Sequence, residues 1–212
     1  MNKLDILNLT PGLIYEVLCG TYNPNKLPNF APMGILLNHE LVLYPYITSQ
    51  TFKNIEKTES CSLNFSDDAW IFTWACFEKD RVKPFLKAGL HTNNPVLEGA
   101  TAVVECNIKQ ITSISEEARC AVKCQPIDVK VQQKFVPFTR GFSLIIEMLI
   151  HATRIAHYEA LDDKNKVHEL KQYILYYAQI INRVARTDYP IIAEYILKQV
   201  GLNNASDSKN SK

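Results

Sequence analysis

The order of hydrophobic patterns predicts an α+β protein, a mainly antiparallel β-barrel followed by a helical domain. Three observations carry this. Short runs rich in Val, Ile, Tyr and Leu, separated by polar turns, fill the first two-thirds of the chain. From Phe142 onward the apolar residues recur at helical spacing instead. With 212 residues, 47% of them hydrophobic and 21% charged, the chain can bury one large domain, or one domain and an appendage.

The elements follow in order. Leu13 to Thr21 reads as a strand that Asn23-Pro24-Asn25 breaks. Phe30 to Leu37 and Glu40 to Tyr46 flank the polar pair Asn38-His39, the pattern of a hairpin. Thr48-Ser49-Gln50-Thr51 is a hydroxyl-rich cluster suited to capping a short helix over Phe52 to Lys57. Ser60 to Asn64 returns to strand. Asp67-Asp68 open a helix that carries Trp70, Ile71, Trp74 and Ala75 on one period, and an irregular segment bounded by Pro84 and Gly89 follows. Ala100 to Thr112 and Cys120 to Lys134 read as long strands, with Pro126 marking an edge or bulge. Three helices close the chain. The first puts Leu144, Ile145, Met148, Leu149, Ala152, Ile155 and Ala156 on one apolar face. The second runs from Lys166 to Ala185 on a stripe of Leu170, Ile174, Tyr177, Ile181 and Val184. The third begins at Thr187 or Asp188 and stops at Gly201. Residues 203–212 are polar and predict a disordered tail. The domain boundaries predicted are 1–135 for the barrel, 136–202 for the helices and 203–212 for the tail.

Composition narrows the function classes. The net charge of +1, from 23 basic and 22 acidic side chains, gives no electrostatic reason to expect a nucleic acid or an anionic membrane as partner. No run approaches the roughly 20 apolar residues of a bilayer span. Met1 to Thr10 lacks the pattern of a secretory signal, so a cytoplasmic location is expected. Cys19, Cys61, Cys76 and Cys106 each sit in an apolar run and read as small buried hydrophobes. Cys120 and Cys124 form a Cys-x3-Cys with no second pair, so no metal site is expected. The seven glycines include no G-x-G-x-x-G.

Several stretches, taken in order, resemble the FMN-binding split barrel of flavin reductases and pyridoxamine-phosphate-oxidase-like proteins. They are Leu13 to Glu16, Asn29 to Gly34, Ser49 to Asn54, Ser62 to Phe65, Asn94 to Glu98 with Val104 to Cys106, and Phe138 to Arg140 leading to Glu147 to Arg154. Within that group the chain is most similar to an uncharacterised subfamily with an added C-terminal helical domain. The fold class so implied is α+β, a mainly antiparallel split β-barrel with a C-terminal helical domain. The resemblance implies FMN as cofactor, held by Asn29, Ala31, Pro32, Met33, Gly34, Ser49, Thr51, Lys53, Asn54 and Asn64. In that reading Ser49 and Thr51 give hydroxyls to the phosphate at a helix start, where the dipole and unpaired N–H groups favour an anion. Lys53 gives a positive charge where many relatives use Arg. Asn29 to Gly34 lie along the flavin ring, and Asn64 reaches the ribityl chain or ring edge. Without the resemblance, the same residues read as a helix cap, an edge strand with a bulge and a strand end.

The activity so implied is a flavin-dependent oxidoreductase of undefined substrate, with NAD(P)H binding transiently over the flavin. A flavin-binding carrier or sensor without turnover, and a ligand-free interaction module, are the alternatives. Arg140, Glu147, His151 and Arg154 form a candidate second site. With Ser143 and Tyr158, the last three share a narrow helical stripe, which reads either as a solvated charged row or as a polar surface at least partly buried against the barrel or a partner. Trp70, Phe72, Trp74 and Phe77 crowd one segment. Together with the uncovered side of the flavin that the resemblance implies, they predict a two-fold homodimer with flavin at the boundary.

Overall fold

A computed structural model describes residues 3–114, 118–132, 135–185 and 188–202. They divide into two compact units, residues 1–138 and 139–212. The segment 203–212, Lys134 and Thr187 lie outside the described residues.

The first unit is a closed six-stranded antiparallel barrel. Its strands are β1 (Ile14–Tyr22), β2 (Pro28–Asn38), β3 (Glu40–Leu43), β4 (Ser60–Phe65), β7 (Ala102–Ser113) and β8 (Cys120–Val131), in the order β1-β2-β3-β8-β7-β4. A separate two-stranded sheet pairs β5 (Leu86–Ala88) with β6 (Pro95–Leu97). The barrel consists of two halves. The β1–β2 ladder runs the length of both strands from Ile14↔Leu36 to Tyr22↔Pro28, and β7–β8 runs from Ala102↔Val131 to Ser113↔Cys120. The halves meet through short seams, Leu41↔Cys124 to Leu43↔Val122 on one side and Leu18↔Asn64 to Gly20↔Ser62 on the other.

Local chemistry explains the boundaries. His39 turns the β2–β3 hairpin with φ 57°, a left-handed conformation that a short polar loop favours. The third strand is shorter than the sequence suggests: it stops at Leu43, and Pro45, which has no N–H, leaves Tyr46 with a lone bridge to Arg119. Pro126 does mark a bulge, since the β7–β8 register shifts between Glu105, opposite Asp128, and Cys106, opposite Pro126. The β5–β6 hairpin, with a short helix α3 (Lys79–Val82) before it, lies in and beyond the segment read as irregular. Its strands are only three residues long, too short for a period to register.

Helix α1 (Gln50–Thr58) is capped as expected, with the Ser49 hydroxyl accepting from Phe52 N at 3.1 Å. Helix α2 (Ala69–Phe77) is capped by Asp68, which accepts from Trp70 N at 2.8 Å. One cysteine departs from its reading: Cys76, on α2, is exposed, whereas Cys19, Cys61, Cys106, Cys120 and Cys124 are buried. An apolar stretch predicts burial only if the helix is covered all round, and α2 buries Ile71 and Ala75 with Phe72 and Trp74 partly packed beside them, which leaves Cys76 on its outer side. The neighbouring thiols of Cys124 and Cys61, with burial, push the Cys106 thiol well above its usual range, so it stays neutral in the core.

The second unit holds α4 (Arg140–Ala160), α5 (Lys164–Val184) and α6 (Tyr189–Gln199). Ile145, Met148 and Ile155 meet Leu170, Ile174, Ala178 and Ile181 and, from α6, Ala193, Ile196 and Leu197 in one apolar core. Leu149 and Ala156, assigned by the sequence to that face, are instead exposed. Helix α4 carries two apolar faces, and a single-stripe reading merges them.

Candidate functional site

The start of β2 and the first turn of α1 meet in a buried polar network. The Asn29 carboxamide nitrogen donates to the Thr21 hydroxyl at 3.2 Å and to the Thr51 hydroxyl at 3.0 Å. The Asn54 nitrogen donates to Thr21 Oγ1 and Asn23 Oδ1, each at 3.0 Å, and Gln50 Nε2 donates to Asn54 Oδ1 at 2.8 Å. Thr21, Asn29, Thr51 and Asn54 are all buried. Buried amides and hydroxyls must be bonded to avoid a desolvation penalty of about 1–3 kcal/mol each, so this closed set fixes the entry of α1 against β1 and β2.

At that corner α1 presents anion-binding groups. Phe52 N is taken by the Ser49 cap and Lys53 N by Ser49 O. The N–H groups of Gln50 and Thr51 have no acceptor within a helix that begins there. Lys53 is exposed on the same turn. Lys79, from α3, reaches Asn29 Oδ1 at 3.1 Å. Sequence reasoning did not single out Lys79, Thr21 or Asn23. Lys79 stands 50 positions from Asn29, and only the α2–α3 turn brings them together.

Ala31, Pro32, Met33 and Gly34 are half-buried along β2. This part of the strand pairs with β1 alone, because β3 joins only at Ile35. Its second edge therefore carries no strand among the described residues. A Cβ on Gly34 would lie 2.7 Å from Ile14 Cγ2, so packing also requires glycine there. Asn64 lies apart from this corner. It is fully buried, donates to Leu18 O and Ser62 Oγ, and accepts from Leu97 N at 2.8 Å, which pins β6 to the barrel and spends its carboxamide.

Beside the corner stands an aromatic ledge. Trp70 stacks on Trp74 at 5.9 Å between centroids and Trp74 on Phe85 at 6.3 Å, with Arg81 over the Trp74 ring. Trp70 is 64% exposed and Phe77 84% exposed. A different region holds a cavity of about 680 Å³ bounded by the β5–β6 hairpin, Val103, Glu105 and Val129 to Gln132. None of the residues assigned to FMN by the sequence lines it. Glu105 is buried and accepts from Leu90 N, His91 N, Thr92 N and the Thr92 hydroxyl at 2.8–3.0 Å. Burial pushes its carboxyl up, but those backbone donors outweigh burial and hold it below the usual carboxylate range. A Cβ on Gly89 would lie 2.5 Å from Glu105 Oε2, so only glycine lets the loop close on the carboxylate.

In the helical unit, Arg140, Glu147 and Arg154 are exposed and His151 is half-buried. The His151 ring stacks on Tyr177 at 5.7 Å and lies 5.4 Å from Tyr173. Its Nδ1 is buried with no hydrogen-bond partner among the described residues. Glu147, His151 and Arg154 share the stripe that their spacing suggested, as does Tyr158, which is half-buried like His151.

The barrel and the structures it matches define a class, the split barrel shared with flavin-handling proteins. An FMN-bound protein from Methanosarcina mazei aligns with 92% of this chain and 99% of its own, at TM-score 0.55 and 21% identity. The 2-nitrobenzoate 2-nitroreductase of Pseudomonas fluorescens aligns with 63% of this chain and 79% of its own, at TM-score 0.52 and 18% identity. A candidate flavin reductase from Haemophilus somnus aligns with 65% of this chain and 96% of its own, at TM-score 0.50 and 12% identity. The family models for the protein of unknown function DUF447 match here, the N-terminal domain over residues 15–133 and a second DUF447 model over residues 139–198. The chain belongs to the DUF447 family. The M. mazei protein matches the same family model.

Proposed function

We propose that this protein binds FMN at the corner formed by Asn29, Ser49, Thr51 and Asn54 and acts as a flavin-dependent oxidoreductase. The observation that carries the reading is the convergence of donors there. Two free-ended N–H groups, the Ser49 and Thr51 hydroxyls, Lys53 and Lys79 all stand at one helix start, beside an edge of β2 that no strand covers. A dianionic phosphate suits such a set, because helix start and cations favour the same charge. The binding of FMN by a family member of the same fold supports it. Asn29 and Asn54 hold α1 in place, and Ala31 to Gly34 offer main chain to a flat ring. Bound flavin supplies the electron transfer, and the chain's residues bind and orient it.

In this reading NAD(P)H docks transiently against the flavin, the protein is a homodimer with flavin near the subunit boundary, and the exposed ledge of Trp70 and Phe77 contributes to that boundary. The purified protein should be yellow and release FMN on denaturation, and NADH or NADPH should bleach it at a catalytic rate. Thr51→Ala combined with Lys53→Ala should weaken FMN binding well over tenfold in a fluorescence titration, since bonds to a charged group are worth about 1.5–3 kcal/mol each. A folded double variant with unchanged FMN affinity overturns the phosphate site. A yellow protein that no nicotinamide reduces is a carrier or sensor, not a reductase.

A further inference from the structure

We infer that α4 is a two-fold pairing surface for a second copy of this chain. Only one of its apolar faces is used inside its own unit, the one carrying Ile145, Met148 and Ile155. The other consists of Phe142, Ile146, Leu149, Thr153, Ala156 and Ala160, and every one of these is exposed. Their spacing is four, three, four, three, four. That is the seven-residue repeat of a coiled-coil seam, which keeps one face in contact with a partner helix along its length. A helix face meant for water is polar, and this one is not.

The order of side chains along the seam specifies the partner. The first three positions are large and the last three are small. A parallel copy would set Phe142 against the partner's Phe142 and Ala160 against the partner's Ala160, crowding one end and emptying the other. An antiparallel copy sets Phe142 against the partner's Ala160, Ile146 against the partner's Ala156, and Leu149 against the partner's Thr153. Large then meets small in every layer, as close packing requires.

All three pairings share one centre, at His151, and a common centre is the mark of an isologous two-fold contact. A docking peptide, or the chain's own barrel, needs no such self-complementarity. The inference stands whether or not the barrel holds flavin.

Site-directed cross-linking tests it in the full chain, with the exposed Cys76 first replaced by serine. Ile150→Cys lies beside the axis and should give a dimer band with a short bis-maleimide. Phe142→Cys alone should not, because its two copies lie about 27 Å apart along the helix axis at 1.5 Å per residue. Co-expressed Phe142→Cys and Ala160→Cys chains should link to each other. Adding Ile146→Glu and Leu149→Glu should abolish the Ile150→Cys product, even where another face keeps two chains together. Linkage of Phe142→Cys to itself, failure of Ile150→Cys to link, or a solution mass of 24.2 kDa at micromolar concentration overturns the inference. Should the glutamate variant not fold, the cysteine variants still decide.

Discussion

In the barrel unit, Thr21, Asn29, Thr51, Asn54, Ser62, Asn64, Asn94 and Glu105 are buried, whereas in the three-helix unit every buried residue among those described is apolar. The helical unit instead leaves Phe142, Tyr176, Ile191 and Tyr195 more than half exposed. The barrel uses polar groups to hold loops and helix starts at fixed positions, because a satisfied buried hydrogen bond tolerates little displacement. The helices bury only apolar side chains between them and keep apolar surface in reserve. One unit has the build of a site, the other that of a contact.

The sharpest way to break this comparison is to damage each unit where it is strongest. Met148→Ala empties a fully buried position in the helical core and should cost about 2–5 kcal/mol, read by chemical denaturation. If the cost is under about 1 kcal/mol, the helical unit does not rest on its apolar core. In the barrel, Glu105→Gln should cost about 2 kcal/mol, because an amide cannot accept at both ends from the Leu90, His91 and Thr92 donors. Amide exchange at those three residues should quicken, while exchange in α4 stays unchanged.

The pH dependence follows from the same carboxylate. Its folded value lies below the ordinary 4.5. Its contribution is therefore complete above that value and declines as the pH falls through the depressed one. Melting curves of the wild type and of Glu105→Gln should converge in acid and separate toward neutrality. Smaller again is Asn54→Ala, which removes two donated bonds and should cost about 1–2 kcal/mol and lower FMN affinity with it. A loss of stability with undiminished affinity would detach the polar network from the flavin. Least of all, Ala156→Ser on the exposed face of α4 should change the stability of a single chain by no more than about 0.5 kcal/mol.

The strands and helices were legible wherever a period had room to repeat. The hairpin around His39, the capped start of α1 and the inner stripe of α5 all announce themselves in single segments. What stayed hidden was either too short or too distant. The three-residue strands β5 and β6 carry no period, and Lys79 reaches Asn29 only through tertiary folding. Glu105 sits in an apolar strand without any local sign that a loop fifteen positions upstream will cage it. Leu149 and Ala156 show the remaining failure, since periodicity says that a residue is apolar but not which of two faces it serves. At the candidate site, the residue types near Ser49 suggested anion chemistry, but only the fold shows which of them are already bonded to one another. Asn64 is the case where that decides the matter.

The narrow seam between β3 and β8 has a consequence during synthesis. Leu41 pairs with Cys124, 83 positions later in the chain. At about 5–20 residues per second, the edge of β3 waits on the order of 4–17 s for its partner to emerge. An unpaired strand edge is an invitation to wrong partners. Glu40, at the head of β3, pairs with Lys109 and Lys123 once the barrel closes. Before those partners arrive it stands as a charge at the head of the open strand, and a charge on a strand edge disfavours the addition of another strand.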